Sequence, residues 1–382
     1  MFYQLPPVGN PVCLERQPAD PGILSGVFAP YTPRFLDSGT AALAAAIQAA
    51  ASLKDVAAPE VILPAYGCPD LVSAAVYAGA RPVLVDLERE RPWMDPAGVS
   101  AAISPQTVAI VAVSLFGIPE RMAVLRPLAD VAGALLIEDS AQAFPRSGGG
   151  DFWQGDLVVL SFGRGKPVSL LGGGAVLFRE QRFAALLPDT GGDAALPRGN
   201  GMAMDVKARL YNRLLSPRVY WIPQSLPFLH LGETRYHPLD KIRPMDVDRQ
   251  ALLAANIEAY RSRTLEAGTG VAGLVASLTD RGLPIIDLPR SCGYSSPASL
   301  LRYPLLLDIE SRDAISDRFG KQGLGASLMY PAALPAIEGL HEILGEAGEF
   351  PAACEFAARI LTLPLHEGVS AADLETMGAC LA

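Results

Sequence analysis

The sequence predicts an α/β fold: a large, mostly parallel sheet followed by a smaller α+β part. Three observations carry this. Between residues 35 and 178 short apolar runs alternate with helix-like segments, as in strands joined by crossovers. One run, Val108–Val113, has no polar residue, as expected of a strand covered on both faces. Beyond residue 245 separate helix and strand runs replace the alternation. The expected division is a large domain over 1–245 and a small one over 246–382.

Residues 1–33 are rich in proline and glycine and read as an irregular arm. Phe35–Ser38 leads into Gly39-Thr40 and AALAAAIQAAASL, a strong helix former. Ser38, Gly39 and Thr40 thus stand at a helix start, either as a simple cap or as an anion cradle. Val61–Leu63 is a strand stopped by Pro64, Tyr66–Asp70 a loop, Leu71–Tyr77 a helix, and Pro82–Val85 a strand. Asp95-Pro96 pairs an N-cap with proline at the first helical position. Arg121–Ala132 is helical, and Ala134–Ile137 is a strand with Glu138-Asp139-Ser140 at its carboxyl end.

The strand Leu157–Leu160 ends in Ser161-Phe162, followed by the turn Gly163-Arg164-Gly165 and Lys166. Three glycines then precede a strand over Ala175–Phe178. Lys166 is either an ordinary loop cation or a nucleophilic amine. Ligands of such sheets bind beyond the carboxyl ends of the strands, and Asp139, Ser161 and Lys166 all fall there.

Residues 188–245 break the alternation with a polar, glycine-rich loop and then a basic stretch interleaved with aromatics. This excursion packs on the body or a partner, or its 207–231 part touches a membrane surface or lipid-linked substrate. One long helix is expected from Met245, then a strand over Leu301–Ile309 and a helix over Arg312–Gln322 closed by Gly323. A strand over Ala326–Tyr330, a helix over Phe350–Arg359, an extended Leu361–Leu363 and a helix over Ala371–Cys380 follow.

The net charge of −9 argues against nucleic acid as a partner. Five scattered cysteines without a CxxC pair indicate neither a metal site nor a disulfide framework, and fit a cytoplasmic setting. No signal peptide, membrane span, GxGxxG fingerprint or P-loop is recognised.

A carbonyl cofactor such as pyridoxal 5'-phosphate needs a lysine amine, an acid for its ring nitrogen and a phosphate cradle. Lys166, Asp139, and Ser38-Gly39-Thr40 with Ser161 offer these in order. That order, with SGTAAL at Ser38–Leu43, AGARPVLVDLE at Ala78–Glu88, LLIEDSAQA at Leu135–Ala143 and LSFGRGK before GGGAV, resembles the DegT/StrS family. These are fold-type I pyridoxal-phosphate enzymes, the sugar-nucleotide aminotransferases.

The resemblance implies that Lys166 forms the Schiff base and moves the proton, Asp139 pairs with the ring nitrogen, and Gln142 lies near the ring. It assigns Gly39, Thr40 and Ser161 to the phosphate. It implies a homodimer with interface sites, Asn200 being the nearest match to a partner asparagine. Tyr330 and His366 are candidates for substrate contact, His366 equally a packing residue. The expected substrates are an amino donor, glutamate foremost, and a nucleotide-linked keto-sugar for polysaccharide or secondary-metabolite synthesis. Two departures stand out. Cys68 occupies the place of the ring-stacking aromatic, with Tyr66 as a substitute, and Gly163-Arg164-Gly165 precedes the lysine, with Arg164 facing phosphate, substrate or solvent. Alternatives are a regulatory or scaffold protein that binds the cofactor, and a sugar dehydratase; Lys166 argues against the latter, whose relatives carry histidine there.

Overall fold

The fold is a computed structural model describing residues 3–17, 21–148, 150–189, 200–224, 234–345 and 348–382. Seven strands build the large sheet: β1 (Thr32–Leu36), β2 (Glu60–Pro64), β3 (Arg81–Val85), β4 (Thr107–Val113), β5 (Leu135–Asp139), β6 (Leu157–Ser161) and β7 (Gly174–Phe178). Their order is β1-β7-β6-β5-β4-β2-β3. Strands β3, β2, β4, β5 and β6 pair in parallel, whereas β7 is antiparallel to β6 and β1. The expected mostly parallel sheet is present, and every residue of β4 is buried.

The helix Gly39–Lys54 lies on this sheet with nine buried residues, seven of them alanine. Small side chains let its backbone approach β6 and β7 closely. The approach is tightest at its start, where a Cβ on Gly174 would stand 2.5 Å from the Ser38 carbonyl oxygen. Only glycine allows that contact.

The arm is more ordered than its composition suggests. Pro21–Phe28 is a helix, held by Phe28, which is buried against Phe35, Phe144 and Trp153. Thr32–Leu36 is a strand because the outer edge of β7 is open to pair with it. Further upstream, Asn212 accepts from the Val12 amide and donates to its carbonyl, both at 2.8 Å. Asn256 treats Cys13 likewise, at 2.8 and 2.9 Å. Each asparagine amide thus replaces a strand neighbour for one arm peptide.

A second sheet, β8 (Ile286–Asp287), β9 (Arg302–Leu306) and β10 (Ile360–Pro364), runs antiparallel in the order β10-β9-β8. The strand expected over Ala326–Tyr330 is reduced to a single bridge, Ser327 to Thr362, because the Tyr66 hydroxyl takes both the amide and the carbonyl of Tyr330. The long helix expected from Met245 is two, Val247–Ser262 and Glu266–Asp280. Between them Arg263 turns to Asn10, while Arg146 donates to the carbonyls of Arg261 and Arg263. In the excursion a helix spans Gly201–Leu214 and buries Met204 and Ala208 on the body. Residues 190–199 of its polar loop and 225–233 lie outside the described residues.

Glu120 is buried between the Met94 and Arg121 amides, from which it accepts at 2.9 and 2.7 Å. Burial raises its pKa from 4.5 to about 7, against the pull of those amides and the Arg121 charge. A folded pKa above the unfolded one gives a contribution that is complete below pH 4.5 and lost as pH rises through about 7. Denaturant unfolding of Glu120→Gln should therefore lose less stability than the parent between about pH 5 and 8, by at most about 3 kcal/mol. An unchanged slope would refute the assignment.

Candidate active site

The carboxyl ends of β4, β5 and β6 meet around a small cavity of about 20 Å3, lined among others by Ser114, Asp139, Gln142 and Lys166. Cys68, Leu71 and Tyr330 close it from the β2 loop and the small sheet. Parallel strands that stop together leave a crevice at that edge. The sequence order therefore does bring Asp139 and Lys166 into one place.

Asp139 is 9% exposed. One carboxylate oxygen accepts from the Ala141 amide at 3.0 Å. Burial raises its pKa; the Ala141 amide and the Lys166 ammonium pull it back, and Asp70 adds to the rise. A positive charge at the carboxylate would relieve that burial cost. Among the described residues the Lys166 amine has no hydrogen bond or ion pair, while its carbonyl accepts from Asn10 at 2.8 Å. Asn10 also reaches the Pro167 carbonyl and accepts from Arg263. The arm thereby fixes the backbone of the lysine loop and leaves the amine free to move.

Gln142 bridges the cavity wall. Its oxygen accepts from the Phe116 amide at 3.1 Å, and its nitrogen donates to the Tyr330 hydroxyl at 3.4 Å. Phe116 is held at φ 62°, a left-handed conformation that costs about 1–3 kcal/mol. The rest of the EDSAQA motif is structural. Glu138 accepts from the Gln154 and Gly155 amides at 2.7 and 3.0 Å, and Ser140 joins Trp153 to the Ala143 carbonyl.

The expected cradle is assembled beside this cavity. A Cβ on Gly39 would lie 2.6 Å from the Ser161 Cβ, so the helix start and the end of β6 touch there. Ser38 caps the helix by accepting from the Ala41 amide at 3.0 Å. The Thr40 hydroxyl donates to Asp70 at 2.9 Å. Among the described residues the first-turn amides of Gly39 and Thr40 have no acceptor, as at any helix start. Those two amides and the Ser161 hydroxyl are thus left without an acceptor among the described residues, whereas the Thr40 hydroxyl is taken by Asp70.

Cys68 faces the cavity as a neutral thiol. Burial and Asp70 push its pKa up to about 12, against the Lys166 charge. Tyr66 does not replace it. Its hydroxyl is committed to the Tyr330 backbone and its ring packs edge-on to Tyr330 and Phe356, 6.0 and 5.0 Å between centres. His366 is also structural. The Gly368 amide donates to Nδ1 at 3.1 Å, so Nε2 carries the proton and donates to the Pro6 carbonyl at 2.8 Å. Burial lowers its pKa. Arg164 is exposed on its turn. Asn200 caps its own helix, accepting from the Ala203 amide at 3.1 Å. Ser114 and Asp70 went unread. Ser114 directly follows the all-apolar strand, a position that could have flagged it; Asp70 had no signal beyond opening a helix.

The donor set fits pyridoxal phosphate: a free amine, a buried carboxylate in need of a cation, and an amide cradle. The cavity of about 20 Å3 has room for about one water.

An amine, Lys166, and a buried acid, Asp139, stand together at the strand ends of a mostly parallel α/β sheet. Residues 35–189 match the model of the DegT/DnrJ/EryC1/StrS aminotransferase family. It is 38% identical over 144 residues to the UDP-N-acetyl-3-dehydro-alpha-D-glucosamine 3-aminotransferase of Acidithiobacillus ferrooxidans, a match covering 37% of this chain and 38% of that relative. It is 27% identical over 310 residues to the dTDP-3-amino-3,4,6-trideoxy-alpha-D-glucose transaminase of Streptomyces venezuelae, over 80% of this chain and 71% of the relative. Among solved structures, the PLP form of Spr1654 from Streptococcus pneumoniae shares the fold, with a TM-score of 0.70 and 19% identity over 99% of this chain and 98% of that one.

Asn10→Ala would leave the Lys166 carbonyl and the Arg263 guanidinium short of a partner. It should lower stability by about 1–3 kcal/mol, read by denaturant unfolding. A change below about 0.5 kcal/mol would show that the arm does not hold this loop.

Proposed function

We propose that the protein is a pyridoxal-phosphate-dependent aminotransferase that moves an amino group from an amino acid, glutamate as the expected donor, to a nucleotide-linked keto-sugar. The observation that carries this is the unpartnered Lys166 amine in one cavity with the buried Asp139. The names of the two curated relatives support the acceptor class. Glutamate, a homodimer, a cytoplasmic setting and the division into residues 1–245 and 246–382 belong to the same proposal.

When bound, the cofactor supplies a carbonyl that condenses with amines and a ring that draws electrons from the substrate carbon. Asp139, fixed by the Ala141 amide, would hold a proton on the ring nitrogen. Gly39, Thr40 and Ser161 would hold the phosphate through two amides and a hydroxyl. Lys166, free at its amine and anchored at its carbonyl, would serve as the base that moves the substrate proton. Gln142 and Tyr330, bonded to each other, set the wall against which the acceptor lies. Cys68 packs in place of an aromatic ring with less contact area. That loss supports the second reading: a cofactor-binding regulatory protein without turnover.

Purified protein with added pyridoxal phosphate should show the Schiff-base absorbance band, and L-glutamate should convert it to the amine form of the cofactor. Lys166→Ala should show no such band and lose turnover by about 10²–10⁴-fold. A band that no amino acid discharges would favour the regulatory reading; no band at all would remove Lys166 from its role. Gly39→Ala, which drives a methyl group into Ser161, should weaken cofactor binding at least roughly tenfold, or about 1.4 kcal/mol. Unchanged affinity in a cofactor titration would place the phosphate elsewhere.

A further inference from the structure

The helix Gly201–Leu214 turns two different faces outward and inward. Inward lie Met204 and Ala208, both buried, and Asn212, which grips Val12. Outward, Met202, Val206 and Leu210 recur every four residues and are 79%, 58% and 57% exposed. At that spacing they form one stripe along the helix. Lys207, Arg209 and Arg213 are exposed and border it, and none of the three has an ion pair among the described residues. The helix's one acid, Asp205, is held at its side by Arg16 at 2.6 Å. Arg218 and Ile222, both exposed, continue the same character beyond the helix. An apolar and purely basic face on a chain of net charge −9 is not explained by the fold, because its removal would leave the inward contacts intact.

We propose that this face docks the protein on an anionic lipid surface. The stripe enters the boundary between headgroups and acyl chains, and the basic side chains reach the lipid phosphates beside it. The helix lies on the membrane: its 14 residues span only about 21 Å, and no helix among the described residues is long and apolar enough to cross. A second copy is a poorer occupant. A two-fold contact through this stripe gathers Lys207, Arg209 and Arg213 of both copies along one seam, with the helix's one acid already held by Arg16, and like charges brought together are costly. A lipid surface accepts the apolar stripe and neutralises the cations together. The proposal is independent of the reading of the lysine site.

The test is flotation of the full chain with phosphatidylcholine vesicles, with and without phosphatidylglycerol, at low and high salt. The expected result is binding only to the phosphatidylglycerol vesicles, released by salt. The exposed-site variants V206D/L210D and K207E/R209E/R213E should each cut the bound fraction roughly tenfold, with thermal unfolding unchanged. Wild-type protein that floats with neither vesicle, or V206D/L210D that floats as well as wild type, overturns the proposal. So does a concentration-dependent mass by light scattering that V206D/L210D abolishes while vesicles capture nothing; that result assigns the stripe to a second copy.

Discussion

The site depends on one carboxylate taken out of water. Asp139 sits at the end of β5, a central strand, where burial penalises its charge and a single amide offsets little of that penalty. The Lys166 ammonium supplies part of the missing stabilisation. The loop that carries it is therefore held at its carbonyls by Asn10 instead of at its amine. Gln142, three residues on from Asp139, ties the wall to Phe116 and Tyr330. The glycine contacts at the start of the helix Gly39–Lys54 bring that helix N-terminus to the same sheet edge. Each of these arrangements keeps a charge solvated by protein where water has been removed.

Electrostatics within the site do not all point one way. Asp70 raises the pKa of Asp139 and of Cys68 and holds the Thr40 hydroxyl. A carboxylate beside an amide cradle opposes an anion there. The Thr40 bond takes up part of that charge.

The large sheet was legible because its buried strands are short and almost free of polar residues, and because crossovers place their carboxyl ends together. Asp139 and Lys166 followed from that rule, and Gln142 from its motif. What was not legible depended on contacts distant in sequence. Tyr66 reads in sequence as a substitute for the stacking ring; its hydroxyl is spent on the backbone of Tyr330, 264 residues away. For His366 the sequence offers substrate contact or packing, and only the contacts with Pro6 and Gly368, which occupy both ring nitrogens, decide for packing. The arm read as irregular because proline and glycine hide a strand that only the open edge of β7 creates, and asparagine clamps that only Asn212 and Asn256 reveal.

Those clamps give the site a chain-order property. Asn10 reaches the lysine loop from a segment whose neighbours are stitched to later parts of the protein: Val12 to Asn212, Cys13 to Asn256, and Tyr3 to Asp373. The large sheet is complete once β7 has been made, and by then the strap has its Asn10 contacts with Lys166 and Pro167, but the clamps from Asn212 and Asn256 and the contact with Asp373 come later in the chain. The support that steadies the lysine loop is thus drawn from both halves of the chain, so the larger half by itself holds the arm by fewer bonds than the two halves together.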